Sequence, residues 1–317
     1  MTIEDVDKER FRFRLLFLHP RYWLTWIGLG LFFIVAFLPM PVIDWFGFRL
    51  GDIVSRLNKK RYNIARINIS LCFPDKSDSE IEKMVKQSFR AQFRSLIHYC
   101  VLWWRPVSSI RKRINTTGFE KIQQYKDQGK QIIILLPHSV GLEFAMASVS
   151  MDYTAHGPYK DMRNPVINWI VGNGRLRFGK ANGTRIFTRE EGLRPLIRDT
   201  KAGKILVYLA DEDLGPDRSI FVPLFGIMKA TVPVLGRIAR SCNAVVLPCV
   251  CCYQKQTRQY NIELLSEIED FPSGEDGADS LSMNKAVEQV INHCPAEYLW
   301  TLRYFKTRPP GETSVYE

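Results

Sequence analysis

Apolar and polar positions follow three successive rhythms along the chain. From Trp23 to Met40 the run WLTWIGLGLFFIVAFLPM contains eighteen residues and no charge, which reads as a membrane segment. Residues 51–114 hold few Gly or Pro, and Ile81, Met84, Val85, Phe89, Phe93, Leu96, Ile97 and Cys100 recur at helical spacing. The S-x-x-E of Ser79 to Glu82 reads as a capping box, predicting a helix that starts at Ser79. Beyond residue 115, short apolar runs bounded by Gly, Lys or Pro alternate with helical stretches. The runs are Gln131 to Leu136, Ile205 to Leu209, Ala244 to Cys251 and Gln259 to Leu265. The first three are apolar at successive positions, as strands covered on both faces must be. Helices are predicted after His138, from Arg189 to about Ala202 with Gly203 ending it, from Thr231 to Cys242 and from Leu281 to His293. Ser273 to Ser280 reads as a loop. The organisation predicted is an arm and membrane anchor over residues 1–50, a helical segment over 51–114 and an α/β core over 115–317.

Composition narrows this picture. A chain of 317 residues with 46% apolar and 24% charged side chains can bury a full core, which excludes disordered and collagen-like classes. The net charge of +11 favours anionic partners, whether phospholipid, nucleic acid, an acidic protein or an acidic substrate. Basic residues flank both ends of the apolar run, Lys8, Arg10, Arg12, Arg14 and Arg21 before it and Arg49, Arg56, Lys59, Lys60 and Arg61 after it. That symmetry leaves orientation open, and a spanning and an interfacial element both remain possible. A cleaved signal fits poorly, because the run ends in Pro39-Met40-Pro41 and stays apolar through Trp45, Phe46 and Phe48. Seven cysteines, an odd number mostly inside apolar runs, are poor material for a disulfide framework and point to a reducing compartment. Cys249-Val250-Cys251-Cys252 lies within a predicted strand and reads as core packing rather than a metal or redox motif.

The most informative chemistry lies in QIIILLPHSVGLEFAMA, where an apolar strand runs into His138 and, five positions on, Glu143 in a predicted first helical turn. Strand ends are where α/β proteins build sites. Glu143 could accept the Nδ1 proton of His138 and leave Nε2 as a general base; the plainer alternative is a capping or core histidine with a surface glutamate. G-x-S-x-G is absent and Ser139 is adjacent to His138, so direct activation of a substrate hydroxyl is favoured over an enzyme nucleophile. A second constellation is basic: Lys160, Arg163, Arg175, Arg177, Lys180, Arg185 and Arg189 stand against one acid, Asp161, in thirty residues. Guanidinium groups at that density suit phosphate, carboxylate or an oxyanion. No nucleic-acid motif accompanies the charge, so nucleic acid is set aside. Asp211-Glu212-Asp213 ends another apolar strand and needs partners, for which the arginine-rich stretch is the first candidate and a metal the second. Lys229-Ala230-Thr231 reads as a helix start offering N–H groups and a lysine to an anion.

These residues resemble the late acyltransferases of lipid A biosynthesis, within the glycerophosphate acyltransferase superfamily. The resemblance rests on His138 and Glu143 as an H-x4-acid element, Arg163-Asn164-Pro165, G-R-x-R-F-G at Gly174 to Gly179, D-E-D-x-G at Asp211 to Gly215, F-V-P-L-F-G at Phe221 to Gly226 and K-A-T at Lys229 to Thr231. D-E-D-x-G with K-A-T, and E-Y-L-W-T-L-R-Y-F-K-T-R at Glu297 to Arg308, look most like the myristoyltransferase that acts last. The acid of the H-x4 element is often Asp in the family and is Glu143 here. The resemblance covers nearly the whole chain and implies a mixed central sheet flanked by helices. It implies an acyl chain delivered as a thioester on acyl carrier protein to a hydroxyacyl hydroxyl of a Kdo-bearing, phosphorylated lipid A precursor, with no metal, no other cofactor and no covalent acyl-enzyme. In that reading His138 and Glu143 form the base dyad and Arg175 stabilises the oxyanion. Arg163, Asn164, Arg177, Arg189, Asp211 and Lys229 serve substrate, with Arg163 and Arg189 holding phosphate or ordering the acidic cluster. Phe144, Met146 and Trp169 are the expected lining of an acyl channel. The implied location is the inner membrane of a Gram-negative-type bacterium, against the phospholipid surface, with the catalytic part facing the cytoplasm.

Three alternatives remain at this point. A glycerophospholipid acyltransferase would share the base, but residues 208 to 213 read Y-L-A-D-E-D where an F-P-E-G-T-R-like motif is expected. A thioesterase would let water replace the acceptor, and a membrane-surface binding module would leave the His138/Glu143 pair idle.

Overall fold

The structure, a computed structural model, describes residues 9–179 and 183–317. Lys8 and Lys180, and the side chain of Arg189, lie outside the described residues.

The apolar run near the N-terminus does not make one long helix. It forms the helix Trp23–Ala36, turns at Phe37 to Pro39, and returns as the helix Met40–Leu57. Fourteen residues rise about 21 Å, short of the roughly 30 Å hydrocarbon core. The second helix carries Asp44, Arg49, Asp52 and Arg56. Among the described residues no helix is long and apolar enough to cross a membrane, which corrects the expectation of a transmembrane anchor. The run looked continuous because Pro39 and Pro41 are apolar; Pro39 also caps the second helix and so divides the two. The outward face of this pair is apolar, with Trp23, Leu24, Ile27, Leu31 and Ile34 exposed on one helix and Trp45, Phe46, Ile53 and Leu57 on the other.

The inward face packs on the 27-residue helix Asp78–Trp104. A Cβ at Gly47 or Gly51 would collide with the backbone of Arg94 or Arg90, so these glycines let the two helices touch. The capping box belongs to Ser77 and Glu80, and the helix starts at Asp78 rather than Ser79.

The sheet has seven strands in the order β1-β9-β8-β2-β5-β3-β4. They are β1 (Ile114–Thr117), β2 (Gln131–Leu135), β3 (Ala155–Tyr159), β4 (Arg185–Thr188), β5 (Ile205–Tyr208), β8 (Ala244–Gln254) and β9 (Gln259–Leu264). Neighbours are parallel except β8 and β9, so the sheet is mixed and helices flank it. Ile133, Leu135, Leu206 and Val246 enter one core with the helices Val234–Cys242 and Asp276–His293. Ile132, Ile134, Val207 and Leu247 enter the other, with the helices Asp78–Trp104 and Leu142–Asp152. Burial on both faces is why these strands lack polar alternation.

A two-stranded hairpin, β6 (Ile220–Leu224) and β7 (Ile227–Thr231), stands apart from the sheet. Its two-residue turn puts both Phe225 and Gly226 at positive φ, the conformation such turns require. Lys229-Ala230-Thr231 is therefore strand, and the helix expected there starts at Val234. The helix Asp276–His293 likewise begins inside the segment expected to be loop.

Cys252 and Cys294 form a disulfide, while Cys72, Cys100, Cys242, Cys249 and Cys251 are free and buried. This corrects the reading of the cysteines as uniformly reduced. Alternation along β8 puts Cys252 on the face opposite Cys251 and Cys249, where the end of the helix Asp276–His293 meets it. The bond closes a loop with a sequence separation of 42. Cys294→Ser is expected to lower the unfolding free energy by about 2–4 kcal/mol in non-reducing denaturant melts. Unchanged stability of the variant, with seven rather than five thiols titrating in the denatured parent, would mean the bond is not formed in solution.

Candidate active site

The connection leaving β2 runs to β3 on one side of the sheet, and the connection leaving β5 runs to β8 on the other. β2 and β5 are adjacent and parallel, so a crevice opens between their C-terminal ends, the place where open α/β sheets bind ligands. The register pairs Leu135 with Tyr208, and the N–H of Leu136 donates to the carbonyl of Tyr208 at 3.0 Å. Continuing both strands by three residues brings His138 opposite Asp211.

The two side chains meet there. His138 Nδ1 lies 2.7 Å from Asp211 Oδ1, and the backbone N–H of His138 donates to Asp211 Oδ2 at 2.8 Å. The Tyr298 hydroxyl donates to the same Oδ2 at 2.7 Å. The Asp211 side chain is 1% exposed and that of His138 21%. Burial alone would raise the Asp211 pKa, but the charge of His138 and the three hydrogen bonds hold the carboxyl below its ordinary range. Asp211 is therefore ionised and accepts the Nδ1 proton, leaving Nε2 as the basic nitrogen of the ring.

Glu143 does not fill that place. It sits in the first turn of the helix Leu142–Asp152, where Arg175 Nε donates to its two carboxylate oxygens at 2.9 and 3.0 Å and Nη2 adds a third bond. Both side chains are nearly buried, and Arg175 also lies over the Tyr159 ring. Burial opposes the Arg175 charge, yet Glu143 more than offsets it and the pKa lies above its ordinary value. The expected hydrogen bond from His138 Nδ1 to Glu143 is thus corrected: the sheet register hands that proton to Asp211, and the five-residue spacing serves an ion pair. Glu143 and Arg175 line a small enclosed recess with Trp103, Met146 and Phe178.

Asp213 finds its partners away from the arginine-rich stretch. It accepts from the backbone N–H and hydroxyl of Thr307, both at 2.8 Å. Lys229 is fully buried on β7, where burial lowers its pKa against the opposing charges of Asp211, Asp213 and Glu212. Its Nζ donates to the carbonyl of Ala230. Lys229 belongs to the strand-end cluster rather than to an anion-binding helix start. Among the described residues no three His, Cys, Asp or Glu are grouped to hold a metal.

The remaining candidates are dispersed. Asn164 caps the helix Pro165–Leu176 by accepting from Val166 and Ile167 N–H, and donates to Thr25 Oγ1 at 2.9 Å, so Asn-Pro is a helix start tied to the N-terminal helix pair. Arg177 donates to the carbonyls of Leu102 and Arg105 at the end of the long helix, which gives it a structural post there. Arg163 is exposed, and Arg185 is buried over the Phe187 ring. Among the described residues the cations of this stretch separate, because the helix Pro165–Leu176 and β4 turn them to different faces. Phe144 is stacked on Tyr260 in the core and Trp169 packs with Phe13, Phe17 and Trp26, while Met146 lines the recess.

Comparison with known proteins gives one consistent result. The profile of the bacterial lipid A biosynthesis acyltransferase family matches residues 10–307. The lauroyltransferase of lipid A biosynthesis from Escherichia coli K12 is 34% identical over 306 residues, covering 96% of this chain and 98% of its own. The palmitoleoyltransferase of the same organism is 33% identical, covering 95% and 96%, and its myristoyltransferase 32%, covering 95% and 92%. These nearly equal identities do not single out the myristoyltransferase that the C-terminal motifs suggested.

Proposed function

The chain belongs to the bacterial lipid A biosynthesis acyltransferases, enzymes of the late steps of that synthesis, and on that premise we propose a donor, an acceptor and a mechanism. The donor is a fatty acyl thioester of acyl carrier protein, and the acceptor is a hydroxyacyl hydroxyl of a Kdo-bearing lipid A precursor. The observation that carries the mechanism is the buried Asp211 carboxylate on His138 Nδ1. His138 Nε2 takes the proton of the acceptor hydroxyl as its oxygen attacks the thioester carbonyl carbon. The tetrahedral oxyanion forms beside Arg175, whose charge Glu143 holds in place. Collapse expels the carrier thiolate, which recovers the proton from the imidazolium, so the acyl group passes directly from sulfur to oxygen and no acyl-enzyme forms. Trp103, Met146 and Phe178 form the apolar side of the recess beside Arg175.

The exposed apolar face of Trp23–Ala36 and Met40–Leu57 suits an element lying in the membrane interface. Exposed Arg21, Arg49, Arg56, Lys59 and Lys60 suit anionic headgroups at its edges. The acceptor is itself a membrane lipid, and a cytoplasmic carrier places the site on the cytoplasmic side of the inner membrane. The Cys252–Cys294 bond removes the cysteines as support for that compartment, which therefore rests on the donor.

Mass spectrometry of lipid A tests the whole reading. Purified protein is incubated with acyl carrier protein thioesters and an under-acylated, Kdo-bearing precursor. A gain of one or two acyl chains with the parent protein, and none with His138→Ala, is the expected result. Equal gain with both removes His138 as base, and free fatty acid without gain makes the protein a thioesterase.

A further inference from the structure

The segment after the helix Asp276–His293 crosses the mouth of the site, and no step above uses it. It touches both members of the dyad. The N–H of Leu299 donates to the carbonyl of His138 at 2.9 Å, and the N–H of Val140 donates to the carbonyl of Glu297 at 2.7 Å. Between these bonds Ser139 and Tyr298 form an antiparallel bridge. The turn carrying the base is thus paired, residue against residue, with the segment carrying Tyr298, whose hydroxyl reaches Asp211.

This segment is held from behind. The Glu297 carboxylate accepts from Arg94 Nη2 at 2.6 Å, with the Arg94 side chain 1% exposed on the long helix. Trp300 Nε1 donates to the carbonyl of Pro295 at 2.6 Å, and the Tyr298 ring stacks on Tyr304 and meets Trp300 edge-on. A fixed ring puts its hydroxyl in a fixed place. That hydroxyl and the His138 N–H share Oδ2, which leaves Oδ1 for the imidazole.

We infer that Tyr298 is a positioning residue for acyl transfer: its hydroxyl locks the rotation of the Asp211 carboxylate while its own segment clamps the His138 turn. The inference rests on the reading of His138 as base and Asp211 as its partner. The titratable groups facing Asp211 are His138 from the turn after β2, Lys229 from β7, and Tyr298 and Tyr304 from the C-terminal segment. Like His138, and unlike Lys229 and Tyr304, Tyr298 donates to the carboxylate directly. Withdrawing that donor concentrates the carboxylate's charge on the imidazole, so the imidazolium is held more tightly.

The test is Tyr298→Phe in the full-length enzyme, which keeps the ring and removes only the oxygen. The expected result is a kcat lower by about ten- to a hundredfold with KM for both substrates unchanged. The acid limb of the kcat/KM profile should move upward by roughly one pH unit. Tyr62→Phe, which removes a hydroxyl bonded to Glu82 on another part of the molecule, controls for the loss of a phenol and should leave the profile in place. A Tyr298→Phe profile that superimposes on the parent's overturns the inference, and so does a fall in kcat without movement of the limb. Asp211→Asn, run alongside, separates the two levels: if that variant stays active the base reading itself fails, whereas if it is inactive and Tyr298→Phe is normal, only the role of Tyr298 does.

Discussion

Asp211→Asn is expected to lower kcat by a factor on the order of 10³ to 10⁴ while leaving KM and the folded structure close to those of the parent. Shape is conserved, so the effect comes from donors and acceptors. Oδ1 now faces the imidazole Nδ1, and Oδ2 accepts from the His138 N–H and the Tyr298 hydroxyl. An asparagine can keep its oxygen toward Nδ1 only by turning its NH2 onto the His138 backbone donor, which cannot reverse. Turned the other way, the NH2 donates to Nδ1 and forces the proton onto Nε2, where it blocks the base. In either orientation the charge that would stabilise the imidazolium is gone. Single-turnover acyl transfer followed by mass spectrometry reads the rate, and a thermal melt confirms the fold. Activity within tenfold of the parent would show that Asp211 is a structural acid and that the base is oriented by something else.

The sequence makes the strands of the sheet interior legible because burial on both faces leaves runs such as QIIILL and ILVYL with no polar interruption. Strands at the sheet margin escape that signal. β3 reads AHGPY and β4 reads RIFT, short and interrupted by Gly, Pro or Arg, so that they look like loop and basic surface. The His138 turn is also legible, since a polar residue ending an apolar strand has few other reasons to be there. Its partner is not: spacing along one segment pointed to Glu143, whereas contact is decided by which strand lies next door. One clue was available. His138 and Asp211 each stand three residues beyond the last paired position of their strands, so two parallel neighbours in that register must bring them together. Tyr298 carried no signal of its own, because a tyrosine 87 residues from its carboxylate is recognisable only in three dimensions. The N-terminal run misled for a related reason: hydropathy counts apolar residues and does not see the chain reverse at Pro39.

Arg175 and Glu143 pose the question of whether a buried ion pair acts on the reaction or only on the fold, and a double-mutant cycle answers it. The side chains are 15% and 10% exposed, so removing either charge strands the other in a poorly hydrated place. Arg175→Met and Glu143→Leu are each expected to cost about 3–5 kcal/mol of stability, and the double variant should regain much of that loss. Activity should behave differently. If Arg175 stabilises the oxyanion, Arg175→Met lowers kcat by about 10² to 10³, and removing Glu143 as well restores the melt without restoring the rate. Glu143→Gln, which keeps an acceptor for Nε but gives up the charge, should then cost far less in kcat than Arg175→Met, because the guanidinium stays in position. Were the pair only a strut, stability and rate would recover together in the double variant. Recovery of the rate there would return the oxyanion to backbone donors at the His138 turn and leave Arg175 with a purely architectural role.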